Sequence, residues 1–232
     1  MSGTLGAWNV ATVSRAGLRF SLIGSNALLV EAPGLVDTDL QQRILALTAT
    51  MSDWPEASEL VTGVGNVMLV LADPRSVDPE ALVDRIAAIW PGLKPLPLTG
   101  RIVEVPVIYG GELATDLEAV LSHTGFSIDE FARVHSAPDY TVATVASAPG
   151  FAYLMGMDQR IAVPRKTVPS LDMPKGAVTI GGPQCGISVS RGPNGWNAFG
   201  ATELAMFDPA ARPPAMMHPG DVVRFTIKEI IG

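Results

Sequence analysis

The period of the apolar positions changes several times along the chain. Leu18 to Glu31 (LRFSLIGSNALLVE) is two apolar runs separated by Gly24-Ser25-Asn26, which predicts two strands joined by a turn. From Asp37 to Met51 the apolar residues Leu40, Ile44, Leu47 and Met51 recur at helical spacing. Thr38, with Gln41 three residues later, is spaced for a capping box. Leu60 to Leu71 returns to strand, loop, strand. Val77-Asp78-Pro79-Glu80 then reads as a helix start: Asp78 can accept from orphan backbone N–H groups, Pro79 suits the first helical position, and Val77 and Leu82 are spaced for a hydrophobic staple. That helix ends at Trp90-Pro91-Gly92. The order β-β-α-β-β-α predicts a small α+β domain with both helices covering one face of a sheet.

Pro91 to Pro97 (PGLKPLP) holds three prolines and marks the expected boundary, giving a domain over 1–95 and another over 96–232. The second part opens with an alternating strand, Arg101 to Tyr109. Two short helices are expected next. One lies near Leu113 to Ser122. The other starts at Ser127, with Glu130 as the reciprocal capping residue and Phe126 and Phe131 as staple. After Tyr140 the apolar runs shorten and prolines crowd between them, the signature of a mainly-β barrel.

Composition narrows the functional classes. Sixteen basic against 23 acidic residues leave a net charge of −7, which excludes a generic nucleic-acid binder and attraction to anionic lipid. A hydrophobic fraction of 47% with only 17% charged residues excludes a disordered chain. The single cysteine, Cys185, cannot make an internal disulfide. Met1 to Val13 shows no signal-peptide pattern, and no apolar run approaches the roughly 20 residues of a spanning helix. These features predict a soluble, cytoplasmic protein. P-loop and G-x-S-x-G motifs are absent. His123, His135 and His218 lack metal-ligand spacing, so no metal site is expected.

The chemistry-bearing segments are loops of the second part: HSAPDY (135–140), PGFAYL (149–154), PRKTVP (164–169), GGPQCG (181–186), GPNGW (192–196) and PGDVVRF (219–225). In this order they resemble the family of the 5-oxoprolinase B subunit, also called allophanate hydrolase subunit 1 or the Kip-inhibitor family, with carboxyltransferase subdomains C and D. The resemblance implies an α+β N-terminal domain followed by a mainly-β, cyclophilin-like barrel. It implies ATP, with Mg, bound by a hetero-oligomeric complex with a partner chain, the C subunit, and opening of the 5-oxoproline lactam to glutamate. Two other roles stay open: a regulatory module for a sensor histidine kinase, and a component acting on a urea- or guanidine-derived substrate such as allophanate. The chain departs from the family pattern at Ser170 and Ala201, where arginines are usual, at Cys185 for threonine, at Ser188-Val189 for Tyr-Pro, and at Ala146-Ser147-Ala148 before PGF.

Opening an unreactive amide calls for electrostatic stabilisation of an activated, phosphorylated intermediate. Arg165, in a loop pinned by Pro164 and Pro169, is the first catalytic and substrate-binding candidate, because a guanidinium grips anions in a planar fork. Lys166 is the nearest cation that could compensate for it. His135 reads either as an acid–base group or as a cap on the preceding helix. Tyr153 reads as a substrate-carboxylate donor or as core. Gln184 contacts substrate or braces its loop. Gly182 and its neighbours offer backbone N–H groups to an anion or serve a strand turn. Trp196 is expected to pack, and Cys185 to be inert. The chain alone is expected to be inactive.

Overall fold

A computed structural model describes residues 12–96 and 100–232, in two units divided between Pro97 and Leu98. The signal-peptide reading of Met1 to Val13 falls almost wholly outside the described residues. Among those residues, no helix is long and apolar enough to cross a membrane.

The first unit runs β1 (Val13–Arg15), β2 (Leu18–Ile23), β3 (Ala27–Glu31), α1 (Thr38–Met51), β4 (Ala57–Gly63), β5 (Asn66–Leu71) and α2 (Pro79–Ile89). Its antiparallel sheet has the order β1-β2-β3-β5-β4. The register aligns Phe20 with Val30 and Val30 with Val67, so one apolar row lies on one face of the sheet. Ile44, Leu47 and Met51 of α1 and Leu82, Val83 and Ile86 of α2 join that row in a single core. Truncating a residue as fully buried as Phe20 or Ile44 to alanine costs on the order of 2–5 kcal/mol.

Asp78 caps α2 as expected, accepting from Glu80 N at 3.0 Å, with Pro79 in the first turn. The capping box of α1 is corrected. Asp37 is the cap, accepting from Leu40 N at 2.8 Å, and Thr38 already lies inside the helix. Gln41 is buried instead, bonding Gly63 O at 3.0 Å and Gly65 N at 2.8 Å, which satisfies the turn between β4 and β5.

The second unit runs β6 (Ile102–Gly110), α3 (Leu117–Thr124), α4 (Ile128–Ser136), β7 (Tyr140–Val145), β8 (Ala152–Met155), β9 (Ser170–Met173), β10 (Ala177–Gly181), β11 (Gln184–Ile187), β12 (Gly192–Asn194), β13 (Asn197–Ala201) and β14 (Val222–Ile231). Seven strands close a barrel in the order β10-β11-β8-β7-β14-β6-β13, and β9 pairs with β12 in a separate ribbon. The β6–β14 pair is parallel, from Val222↔Ile102 to Ile231↔Gly110. The predicted box on α4 is present in full: Ser127 Oγ accepts from Glu130 N, and the Glu130 carboxylate accepts from Ser127 N at 3.0 Å. The other helix starts later than expected, at Leu117. Residues before it turn back on themselves, with Ala114 N bonded to Gly111 O, and Asp116 is engaged elsewhere.

His135 sits in the barrel core with no exposed surface. Its ring lies 4.8 Å from that of Phe199 and 4.4 Å from that of Phe225. Tyr109 Oη bonds Nδ1 at 2.8 Å, and Nε2 is buried with no partner among the described residues. Burial pushes its pKa from 6.5 down to about 3. The unfolded chain therefore takes up a proton that the native chain refuses. The stability tied to the neutral ring is complete above pH 6.5 and is lost as pH falls toward 3, by at most about 4–5 kcal/mol. Urea unfolding across that range should show falling stability, and His135→Gln, which keeps a partner for Tyr109, should flatten the dependence. Equal slopes in both proteins would contradict this role.

Candidate functional site

A cavity of about 320 Å³ opens on the second unit, lined by the turn before β8 and the start of that strand, by Arg165 in the loop before β9, by Met173 at the end of β9, and by residues 188–196. Its wall is an aromatic cluster. Phe151, Tyr153 and Trp196 meet edge to face, with centroids 5.1 to 5.6 Å apart. Two glycines make room for it. A Cβ on Gly181 would lie 2.6 Å from the Trp196 ring, and one on Gly186 would lie 2.9 Å from Phe151 Cζ. These glycines of β10 and β11 therefore seat the aromatic wall.

Arg165 supplies the charge. The backbone on each side of it is tied down. Asn197 Nδ2 donates to Pro164 O at 2.9 Å, and Lys166 N donates to Gly195 O at 2.8 Å. The guanidinium lies against Gly195, where a Cβ would come within 3.4 Å of it. Asp116 anchors the same loop: its Oδ2 accepts from Lys166 Nζ at 2.7 Å and from Ala198 N at 2.8 Å. Lys166 is thus committed to a half-buried ion pair and does not stand in for Arg165. The other cation of the lining, Arg191, is held by both oxygens of Asp172. Among the described residues Arg165 has no ion-pair partner, which leaves its fork free for an anion.

Tyr153 is brought to this cavity, with its hydroxyl bonded to Ser147 Oγ. The other candidates are not. His135 lies in the barrel core, where neither solvent nor the cavity reaches it, so the acid–base expectation is corrected to a packing role. Gln184 opens β11 opposite Gly181 and is not part of the lining. Gly182 N donates to Val163 O at 2.7 Å, so that N–H is spent on the fold and is withheld from any anion. Cys185 is fully buried, and burial pushes its thiol well above the ordinary range. Of the positions that depart from the family pattern, Ser147, Ala148, Ser188 and Val189 line the cavity, whereas Ser170, Cys185 and Ala201 do not.

The sequence reading missed Ser147, Asn197 and Asp116. Asn197 and Asp116 act through contacts of long sequence separation that no local pattern announces. Asn194-Gly195 did carry a turn signal, and Asn194 Oδ1 accepts from Trp196 N at 2.9 Å. The lining contains no carboxylate, so it offers magnesium none of the charged oxygen ligands that ion favours. Its donor set fits a small anion and does not fit a metal–nucleotide. Among the described residues, no group of three or more His, Cys, Asp and Glu is placed to hold a metal.

The family described as carboxyltransferase domain, subdomain C and D, matches residues 18–217. The chain is 36% identical over 207 residues to the 5-oxoprolinase B subunit of Escherichia coli O157:H7, covering 89% of this chain and 94% of that protein. The crystal structure of TTHA0988 is similar with a TM-score of 0.73 at 31% identity, over 88% of this chain and 40% of that longer one. The urea carboxylase of Kluyveromyces lactis shares the fold, with a TM-score of 0.69 at 16% identity, over 96% of this chain and 23% of that one.

The seating of the aromatic wall is testable. Gly181→Ala leaves the strand backbone comfortable but drives a methyl into Trp196. It should cost about 1–3 kcal/mol in urea titrations and alter the near-ultraviolet circular dichroism of the indole. A variant as stable as the parent, with an unchanged aromatic spectrum, would refute the close approach.

Proposed function

The chain belongs to the family of the carboxyltransferase domain, subdomain C and D, and on that footing we propose that it is the B subunit of an ATP-dependent 5-oxoprolinase. In this reading it works with a second chain, the C subunit, and the assembly opens the lactam of 5-oxoproline to glutamate. ATP and its magnesium are bound by the assembly, outside this cavity. Three relatives that carry the name of the 5-oxoprolinase B subunit support a role inside an enzyme of several chains.

One observation carries the reading: a guanidinium on a preorganised loop, without an ion-pair partner among the described residues, faces a small cavity with an aromatic wall. A carboxylate on a five-membered ring matches those elements, the acid group meeting Arg165 and the ring packing on the aromatic edges. Because the loop is already fixed on both sides of Arg165, little conformational entropy is lost when the ligand arrives. Among the described residues the lining holds no His, Asp, Glu, Lys or Cys side chain, which supports completion of the site by a second chain.

The isolated chain should show no 5-oxoproline-dependent ATP hydrolysis, and the co-purified assembly should show it. In that assembly Arg165→Ala should lower kcat/KM by about 2–4 kcal/mol of transition-state stabilisation, and Arg165→Lys should restore only part. Thermal stability and partner binding should barely change. Turnover that survives Arg165→Ala intact would reject the anion site. Loss of assembly instead of turnover would move Arg165 to the interface between the chains.

A further inference from the structure

Ser147 adopts φ +67°, and only Ala16 shares a positive φ among the described non-glycine residues. Such a left-handed conformation costs an L residue free energy that glycine would not lose. The turn that imposes it is closed by three backbone bonds: Ala146 N to Phe151 O at 3.0 Å, Ala148 N to Ala146 O at 2.8 Å, and Phe151 N to Ala148 O at 3.0 Å. None of these bonds uses the serine side chain. Its hydroxyl instead lines the cavity and bonds Tyr153 Oη. Tyr153 is in turn steadied by edge contacts with Phe151 and Trp196.

Backbone strain that delivers a hydroxyl to a cavity points to the contents of the cavity. Two hydroxyls carry two protons, and their mutual bond spends only one. The pair therefore keeps one free O–H donor together with free lone pairs. An amide presents the complement, one acceptor oxygen and one N–H donor. Arg165, on the same cavity and without an ion-pair partner among the described residues, supplies the grip for a carboxylate.

We propose that Ser147 and Tyr153 form the amide-reading half of the cavity, and that Ser147 is a specificity-determining residue selecting small carboxylates that also carry a ring amide. This deepens the 5-oxoprolinase reading and rests on it. Arg165 binds any small carboxylate, whereas the hydroxyl pair tells a lactam from a plain carbocycle.

The test measures binding of two probes to the full chain with the partner it co-purifies with. One probe is 5-oxoproline. The other is cyclopentanecarboxylate, which has the same ring size and acid group but no amide. Ser147→Gly should raise the thermal unfolding midpoint, weaken 5-oxoproline about tenfold, and leave cyclopentanecarboxylate within about twofold of its wild-type affinity. Ser147→Ala, which keeps the strain but lacks the hydroxyl, should weaken 5-oxoproline equally without the gain in stability. Unchanged 5-oxoproline binding in both variants, or parallel weakening of both probes, would overturn the inference and leave the 5-oxoprolinase reading standing. A wild-type assembly that binds neither probe would overturn both.

Discussion

The second unit depends on one seam, the parallel pairing of its first strand, β6, with its last, β14. Parallel strands need a crossover, and here the crossover is the entire remainder of the barrel, so the ring closes only when the two ends of the unit meet. The first part of the seam is secured by polar contacts. At its start Arg101 donates to Asp221 Oδ2 at 2.8 Å, and the same carboxylate oxygen accepts from His218 N at 2.9 Å. Farther along β14, Arg224 makes a paired contact with Asp139, 2.7 and 2.9 Å, and Phe225 packs on His135. Tyr140 Oη reaches the carbonyl of His135 at 2.8 Å. The segments HSAPDY and PGDVVRF are therefore two sides of one structural joint, and their polar residues serve closure.

Closure places the cavity. β10 and β11 stand next to each other in the ring, and the glycines at 181 and 186 let Trp196 and Phe151 lie close on them. The loop carrying Arg165 is tied to the neighbouring β13 region through Asn197, Gly195 and the Asp116 bridge. The backbone on each side of Arg165 is held by hydrogen bonds, and no carboxylate pairs with its guanidinium among the described residues. Its charge remains available, whereas Arg191, Lys166 and Arg224 are neutralised by partners. The electrostatics of the cavity follow from that difference in pairing, since the overall charge of the chain is negative.

Much of the fold was legible from local patterns. The strands of the first unit, the Asp78 cap and the Ser127–Glu130 box follow from local sequence, where periodicity, turn and capping chemistry act. The misread α1 cap shows the limit: Gln41 had the spacing of a box but went to a turn more than 20 residues away. The site was half legible. Arg165 and Tyr153 do reach one cavity, because proline and aromatic turns carry local signals. His135 misled because its motif sits next to a helix end, and only the closed barrel shows five aromatic rings around it. Ser147 stayed hidden because a positive φ at a serine leaves no trace in the residue type.

In the proposed function Arg165 holds the carboxylate of a small ring-bearing ligand in this cavity. A crystal structure of the assembly soaked with 5-oxoproline tests it most directly. The carboxylate of the ligand should then make a paired contact with the Arg165 guanidinium, with its ring against Tyr153 and Trp196. A ligand bound elsewhere in the assembly, with Arg165 facing solvent or a neighbouring chain, would contradict it.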